Sequence, residues 1–416
     1  MSLFSSPTVV SSVKTPHLVQ LARPLRDALE RGHPWVYREA LRAMPDLPSG
    51  SVVDLFDRQG FVARGLLDRS SPLAVRVFTL RPDEPIDEEL VARRLARAFD
   101  LRRRTIPGIF TETTGYRLCH GEGDHLPGVV IDVYGPVAVV VFDGEAAATL
   151  RQAVVRCFAS NTQAWSLTTL IERHQRRQGH GHDWLYGPPP ALPEKQRGRH
   201  PLEWVYREHG MHLLVDVENG QKTGTYLDQR ENRRFVRSRA AGLSVWNGFC
   251  YTGGFSVAAA LGGATRVVSV DRQAAAIETA RRNFALSGLP MKPHDFLVQD
   301  VFVALRAAKA AGERFDWVIV DPPSFAPTEA AVPQARLAYQ RLVAQALDIV
   351  TPGGFLSAAS CSSHVDEEAF LSAMCDGARV AGRALRFLEI RGQPGDHPTL
   401  PAFPEGRYLK FTFAAA

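Results

Sequence analysis

Residues 245–271, VWNGFCYTGGFSVAAALGGATRVVSVD, are the stretch that decides the fold. An apolar segment runs into glycines at positions 248, 253 and 254, an alanine-rich segment follows, and a second apolar segment ends at Asp271. This order predicts a strand, a glycine-rich turn, a helix and a second strand. Glycines at such a turn let a ligand approach the backbone, and an acid about 20 residues later can bind ribose hydroxyls. The stretch therefore predicts half of a doubly wound nucleotide-binding fold.

The glycine turn also restricts the kind of nucleotide. It does not read G-x-G-x-x-G, and it lacks the Gly-Lys-Ser/Thr with which a P-loop binds triphosphate and magnesium. A loop of the form G-x-x-x-x-G-G suits a nucleoside without a pyrophosphate, of which S-adenosylmethionine (SAM) is the common one. On this stretch alone, a glycine-rich turn in any α/β domain is an almost equal alternative.

Composition limits the class of protein. The 416 residues suffice for two or three domains, and 45% hydrophobic with 22% charged residues is typical of a soluble globular protein. The net charge of +5 weakly favours an anionic partner. No apolar run predicts a membrane span, and the start of the chain does not read as a secretory signal. Five cysteines without C-x-x-C or metal-ligand spacing indicate a reducing cytoplasm, and no metal site is expected.

The first half of the chain predicts two smaller units. Short alternating segments near residues 50–56, 60–67 and 73–78 are typical of a small β-barrel. In the preceding segment, RGHPWVY at 31–37, Trp35 could stack on bases or belong to the barrel core. A helix at 87–105 carries six arginines, which form either a solvated face or a phosphate-facing surface. Later strands and a helix at 146–158 predict an α+β unit with Cys157 in its core.

Polar residues follow successive predicted strands in the second half of the chain. Asp300, Asp321 in DPPSF and Cys361 in SCS each come directly after an apolar segment. Ligands bind at the carboxyl ends of the strands in such sheets. Because consecutive strands are commonly neighbours, Asp321 and Cys361 are expected to face one cavity. The two prolines after Asp321 stiffen a loop that can hold a planar base.

A cysteine and an acid beside a methyl donor fit methylation of a pyrimidine at carbon 5. That carbon is too weak a nucleophile unaided, whereas addition of a thiolate at carbon 6 activates it and the acid hydrogen-bonds ring nitrogen 3. Cys361 is then the nucleophile; the alternative is a small apolar residue that ends a strand. Cys250 in the glycine loop is the rival, and packing explains it better. Cys375 is expected in the core of its helix.

Five separated motifs carry a resemblance to a known family. NGFCYTGGF, the upstream GQKTGTYLDQR, DPPSF, SCS and GQPGDHPTLPAFPEGRYLK together resemble the ribosomal large-subunit RNA cytosine-5 methyltransferases. The similarity is close over residues 208–410, clear at 31–37 and 121–135, and thin between 136 and 202. It implies SAM as methyl donor, 23S rRNA or a large-subunit precursor as substrate, and Cys361 as the matching nucleophile.

The resemblance also implies the domain organisation. The predicted fold is α/β, with a doubly wound, Rossmann-like class I methyltransferase domain at the C-terminus, a small N-terminal PUA-like β-barrel and a central α+β domain. The expected bounds are a flexible tail at 1–15, a PUA-like RNA-binding domain at 16–88, the central domain at 89–215 and the methyltransferase domain at 216–416.

The candidate site residues fall into three groups. The candidate catalytic residues are Cys361 and Asp321. The candidate cofactor-binding residues are Tyr226, Gln229, Asn247, Phe249, Tyr251, Gly253, Asp271, Asp300 and Asp321. The candidate RNA-binding residues are Arg31, Trp35, Arg230, Pro322 and Pro323.

Two departures from the family pattern concern the target. Ser324 stands where the family often has lysine, which could alter the target or its neighbouring nucleotide, and Cys250 stands where serine is common, with little expected effect. A related guanine-N7 methyltransferase domain shares D-P-P but lacks the SCS cysteine, so Cys361 favours cytosine.

Several alternatives stay open at this point. Methylation of uracil carbon 5 or of a guanine nitrogen is one, and a non-catalytic SAM- and RNA-binding assembly factor is another. The sequence does not specify the target nucleotide, the use of naked rRNA or an assembling subunit, the base that removes the carbon 5 proton, or whether the chain forms a homodimer.

Overall fold

The N-terminal unit is a small curled sheet. The computed structural model describes residues 16–174, 181–190, 192, 194 and 197–416, so the predicted tail at 1–15 lies outside the described residues. The elements are β1 (His17–Gln20), α1 (Arg26–Glu30), β2 (Trp35–Tyr37), β3 (Val52–Asp57), β4 (Gly60–Leu67) and β5 (Leu73–Thr79). The strand order is β1-β3-β4-β5-β2. A bridge between Leu21 and Leu41 joins the chain just beyond the two edge strands, so the sheet closes toward the predicted barrel.

The central unit is a five-stranded sheet covered by helices. Its elements are α2 (Glu88–Thr105), β6 (Gly115–His120), β7 (Val129–Tyr134), β8 (Val137–Phe142), α3 (Glu145–Ala148), α4 (Arg151–Trp165), β9 (Thr169–Arg173) and β10 (His182–Tyr186). The order is β10-β9-β8-β7-β6, and α2 packs against both α4 and β6.

The C-terminal unit is a doubly wound α/β domain. The hairpin β11 (Glu203–Glu208) and β12 (Met211–Asp216) and helix α5 (Arg230–Arg237) precede it. Its elements are β13 (Ser244–Gly248), α6 (Gly254–Leu261), β14 (Arg266–Asp271), α7 (Ala274–Leu286), β15 (Asp295–Val298), α8 (Val301–Ala310), β16 (Phe315–Val320), α9 (Val332–Leu347), β17 (Val350–Ser360), α10 (Glu367–Val380), β18 (Arg386–Arg391) and β19 (Lys410–Ala415).

The strand order of this sheet positions the site. The order is β15-β14-β13-β16-β17-β19-β18, with β13 to β17 parallel and β19 antiparallel to both of its neighbours. The chain runs outward from β13 to β15 and then returns to the other side of β13 as β16. Ligands bind where the strand order reverses in this way, at the carboxyl ends of the strands. The predicted doubly wound fold is confirmed.

The central and C-terminal units share one core. Tyr134 and Val139 of the central sheet belong to the same buried cluster as Trp204 of the hairpin and Val257 of α6. The indole N–H of Trp204 donates to the backbone carbonyl of Tyr134, 3.0 Å away. Packing is therefore continuous across the boundary predicted at residue 216.

Two predictions about cysteines in helices have different outcomes. Cys157 is 6% exposed and lies in the core of the central unit, as predicted. Cys375 is exposed, so its predicted burial is wrong. Helix α10 buries Phe370 and Met374, and the next residue lies about 100° further around the helix, toward solvent. Within the described ranges, no helix is long and apolar enough to cross a membrane.

The arginines of α2 do not form a single surface. Arg102 is fully buried, donates two hydrogen bonds of 2.6 Å to Asp124, and donates a third to the backbone carbonyl of Asp396. Arg104 is exposed beside an acid of its own helix. Part of the basic pattern is therefore a buried link to the C-terminal unit, which neither sequence-based alternative anticipated.

Arg102→Ala is expected to lower the free energy of unfolding by about 3–5 kcal/mol, because it leaves the buried carboxylate of Asp124 without its cationic partner. Arg104→Ala, on the same helix but exposed, is the matched control and should change it by about 0.5 kcal/mol or less. Urea unfolding of both variants measures the difference. Equal effects would mean that the buried pair contributes no more than a surface pair.

Candidate active site

A cavity of about 420 Å³ opens at the reversal point of the seven-stranded sheet. The glycine loop and the ends of β14, β16 and β17 form one side of it, and the segment before α5 forms the other. Ten of the candidate residues line it: Tyr226, Gln229, Phe249, Tyr251, Asp271, Asp300, Asp321, Pro322, Pro323 and Cys361. The expectation that Asp321 and Cys361 share a cavity therefore agrees with the structure.

The glycine loop has an unusual backbone that Asp271 holds in place. Phe249 and Tyr251 have φ values of 57° and 48°, in the left-handed region that side chains disfavour. The Tyr251 N–H donates to Asp271 Oδ2 at 2.9 Å, and the Gln273 N–H donates to Oδ1 at the same distance. The acid after β14 thus fixes the loop after β13, and each carboxylate oxygen retains a lone pair for a ligand.

Two predicted cofactor residues do not line the cavity. Asn247 is 1% exposed, and its amide nitrogen donates to Ser256 Oγ inside the fold. Gly253 has a φ of 78°, and a Cβ there would lie 2.8 Å from that of Ala280 on α7. Both residues support the loop from behind and lie outside the cavity lining, and their assignment as cofactor contacts stays a prediction.

The residues predicted to contact RNA have different positions in the structure. The Arg230 guanidinium is 2% exposed and pairs with both oxygens of Asp396, which contradicts its prediction as an RNA contact. Trp35 donates from its indole N–H to Glu122 and packs edge-on against Phe403, with 4.6 Å between ring centroids, so it joins the barrel to the other units. Arg31 is exposed and stays a prediction.

The loop that carries Cys361 is fastened by its two serines. The Tyr339 hydroxyl donates to Ser360 Oγ at 2.9 Å, and Ser362 Oγ donates to the carbonyl of Ala326 at 2.9 Å. Both serines are buried, whereas Cys361 between them is half-buried and lines the cavity. Burial, followed by the charge of Asp321, raises the pKa of the Cys361 thiol to about 11. The free thiol therefore holds its proton at neutral pH.

Asp321 changes protonation near neutral pH. Burial, and then the charge of Asp228, raises the pKa of Asp321 to about 7, against the opposing effect of a hydrogen bond from Gln229. Gln229 Nε2 donates to Asp321 Oδ2 at 3.1 Å. The amide is held in that orientation because Asn232 Nδ2 donates to its oxygen. Asp321 is thus available both as an acid and as a carboxylate.

Sequence reasoning did not select two residues that complete the site. Asp228 is 6% exposed in the cavity wall, and the Tyr408 hydroxyl donates to its Oδ2 at 2.9 Å. Lys410 is 4% exposed, and its ammonium donates to the carbonyls of Ser362 and Val365 in the loop after β17. These residues lie in the quoted motifs GQKTGTYLDQR and GRYLK, but spacing along the chain gives no sign that the two motifs meet.

Comparisons with known proteins give the class first. Residues 116–408 match the family model of S-adenosylmethionine-dependent methyltransferases, and residues 19–80 match that of the PUA-like domain. The first match begins in β6, in keeping with the shared core. A putative SAM-dependent methyltransferase from Streptococcus mutans has the same fold, with a TM-score of 0.82 and 23% identity over 96% of this chain and 100% of that one. A putative methyltransferase solved in complex with SAH superposes equally well, at 24% identity with the same coverage.

Relatives of nearly full length give the particular family. Ribosomal RNA large subunit methyltransferase I of Serratia proteamaculans (strain 568) is 36% identical over 392 residues, which cover 94% of this chain and 97% of the relative. The protein of the same name from Escherichia coli (strain K12) is 36% identical over 397 residues with the same coverage. The chain belongs to this family of SAM-dependent methyltransferases.

The cavity fits SAM by its size and its chemistry. Its volume lies within the usual range of small-molecule sites, about 300–1,000 Å³. The Asp271 carboxylate is placed for ribose hydroxyls, and Phe249 and Phe302 supply apolar surface beside it for a base. Gly254 leaves bare backbone in the wall. These residues would hold the cofactor.

Asp271→Ala is expected to weaken SAM binding about 10- to 100-fold, the usual effect of losing a hydrogen bond to a charged group. It also frees the Tyr251 N–H and so loosens the loop. Isothermal titration calorimetry measures the affinity. Asp366→Ala is the matched control, because Asp366 also accepts a backbone N–H but lies outside the cavity. Equal SAM affinities of the two variants would show that Asp271 does not bind SAM.

Asp321→Asn is expected to stabilise the protein, and to do so more at pH 8 than at pH 5. An aspartate in the unfolded chain ionises near pH 4, whereas Asp321 in the folded protein ionises at about 7. The wild-type protein therefore loses stability as the pH rises between these values, because the unfolded state releases its proton first. The gain on substitution should be about 2–3 kcal/mol larger at pH 8, measured by urea unfolding.

Asp316→Asn, at the other end of β16, is the control for this pH dependence. A hydrogen bond from the backbone N–H of Ser244 is the main cause that lowers the pKa of Asp316. Its stabilisation is complete above the unfolded pKa and is lost only as the pH falls toward the folded one. Asp316→Asn should thus change stability equally at pH 5 and 8, and a similarly flat response of Asp321→Asn would disprove a raised pKa.

Proposed function

We propose that this protein methylates carbon 5 of a cytosine in 23S rRNA, through a covalent adduct at Cys361. The observation that carries the proposal is the placement of a half-buried thiol, Cys361, and a half-buried acid, Asp321, at the ends of adjacent strands in the cavity that fits SAM. The names of the relatives and the PUA-like domain support large-subunit rRNA as the substrate.

The chemistry of the proposal follows from these two groups. The thiol passes its proton to water as Sγ bonds to carbon 6, and the electron pair of the 5,6 double bond makes carbon 5 nucleophilic while Asp321 donates its proton to ring nitrogen 3. Bound SAM would supply the electrophilic methyl group and would leave as S-adenosylhomocysteine. Carbon 5 then gives up its proton to water, nitrogen 3 returns its proton to Asp321, and Sγ leaves as carbon 5 and carbon 6 regain their double bond.

The protonated form of Asp321 matches cytosine. Nitrogen 3 of neutral cytosine is an acceptor, and it pairs with the fraction of Asp321 that holds its proton near pH 7. The same nitrogen of uracil carries a hydrogen and would need the carboxylate. Methylation of a guanine nitrogen remains the alternative in which Cys361 has no chemical role, and a non-catalytic assembly factor is the alternative in which no methyl group is transferred.

A trapping experiment tests the proposed reaction. Unmodified 23S rRNA is transcribed with 5-fluorocytidine in place of cytidine and incubated with the protein and SAM. Fluorine cannot leave carbon 5 as a proton does, so the adduct with Cys361 persists and should survive on a denaturing gel. Cys361→Ala should abolish the band.

Cys250→Ala is the matched control for the trapping experiment. Cys250 is a second cysteine of the same cavity, so its variant tests whether any thiol there suffices. We expect Cys250→Ala to keep the adduct. Nucleoside mass spectrometry of ordinary rRNA after the reaction identifies the product. If rRNA is methylated without any trapped adduct, the covalent route fails and nitrogen methylation takes its place.

A further inference from the structure

Asp228 has a carboxylate oxygen that the fold does not use. The residue is 6% exposed and lies in the cavity wall. Its Oδ2 accepts the Tyr408 hydroxyl, whereas its Oδ1 is buried and has no hydrogen-bond donor among the residues that the structure describes. A buried carboxylate oxygen without a donor is costly, so its presence in a cavity points to a donor on the ligand.

Two neighbouring side chains of the cavity wall, Arg233 and Gln229, donate to other acceptors. Arg233 donates from Nε and Nη2 to the two oxygens of Glu208, at 2.6 Å each, and from Nη2 to the backbone carbonyl of Tyr226. The amide of Gln229 donates to Asp321. The free oxygen of Asp228 therefore remains for a bound molecule.

The free oxygen belongs to the catalytic end of the cavity. Asp228 lines the same cavity as Asp321 and Cys361, the two residues proposed to handle the base, and the residue after it, Gln229, donates to Asp321 Oδ2 at 3.1 Å. Asp228 is not among the groups that hold the glycine loop, which Asp271 fixes from the end of the neighbouring strand β14. The hydrogen-bond donor that pairs with the free oxygen of Asp228 is therefore expected on the target base.

We infer that Asp228 binds the 4-amino group of the target cytosine and, together with Asp321, selects cytosine. The inference rests on the proposed function. Cytosine presents an acceptor at nitrogen 3 beside a donor at its 4-amino group, and the pair offers an acid for the first and a carboxylate for the second. Uracil presents a donor and then an acceptor, so both contacts would be mismatched, and buried unpaired polar groups reject such analogues strongly.

The two carboxyl groups reinforce each other in these roles. The negative charge of Asp228 is the second cause, after burial, of the raised pKa of Asp321. The same carboxylate that accepts the amino hydrogen thus keeps the proton on the neighbouring acid.

The test removes the amino group from the base and the carboxylate from the protein in turn. A synthetic RNA carries, at the methylated position mapped beforehand by mass spectrometry, either 5-fluorocytidine or the riboside of 5-fluoropyrimidin-2-one, which lacks only the amino group. Adduct formation is timed at saturating SAM. Because loss of the amino group alters the reactivity of the ring itself, the measured quantity is the ratio of the two rates, compared between proteins.

Asp228→Ala should shift this ratio about 10- to 100-fold toward the base without the amino group, the effect of a lost hydrogen bond to a charged group. Asp228→Asn, which keeps the shape and removes the charge, should shift it in the same direction. Asp271→Ala, which removes another carboxylate of the cavity, should leave the ratio at the wild-type value. SAM affinity, measured by calorimetry, should change less than threefold in both Asp228 variants.

The outcomes separate this inference from the proposed function. If wild-type protein forms no adduct with RNA that it methylates, the proposed function fails. If wild-type protein forms the adduct and the Asp228 variants keep its ratio, Asp228 does not read the amino group. A loss of SAM affinity of more than tenfold would instead make Asp228 a cofactor ligand and overturn the inference.

Discussion

Asp396 is a fully buried carboxylate on which three segments of the chain meet. Arg230 donates to both of its oxygens at 2.5 and 3.0 Å, the N–H of Arg117 donates to Oδ2 at 2.9 Å, and Arg102 donates to its backbone carbonyl. Although burial opposes ionisation, the charge of Arg230 holds the pKa of Asp396 well below its usual range. A buried pair of this kind adds little net stability, but an unpaired member is strongly destabilising, so the three segments are held in one arrangement.

That arrangement brings the last part of the chain to the cavity. Tyr408 and Lys410 follow Asp396 closely, and they reach the two sides of the catalytic end. The Tyr408 hydroxyl orients Asp228, while the Lys410 ammonium holds the loop that carries Cys361. The central unit is therefore part of the active-site scaffold, which agrees with a family match that spans both units.

The site concentrates features that weaken a fold. Its loop holds Phe249 and Tyr251 in left-handed backbone conformations, and its two candidate catalytic groups have pKa values raised by burial. Such features persist only where the surroundings determine them fully, and they cluster at functional sites. The serines beside the candidate nucleophile and the paired carboxylates around Arg102 and Arg230 provide that support in this chain.

The sequence by itself determined the order of strands and helices, the glycine loop and the strand-end residues Asp271, Asp321 and Cys361, because hydrophobic period and strand ends are local properties of a chain. Local pattern does not predict the burial of every residue. In the sequence, buried Arg102 cannot be told from the solvated arginines beside it, and Cys375 is exposed although the residue before it lies in the core. Only the tertiary structure decided that Asp228 meets Tyr408, 180 residues away. Contacts at that separation depend on how the units pack and on which charges become buried together, and the spacing of residues along a chain encodes neither.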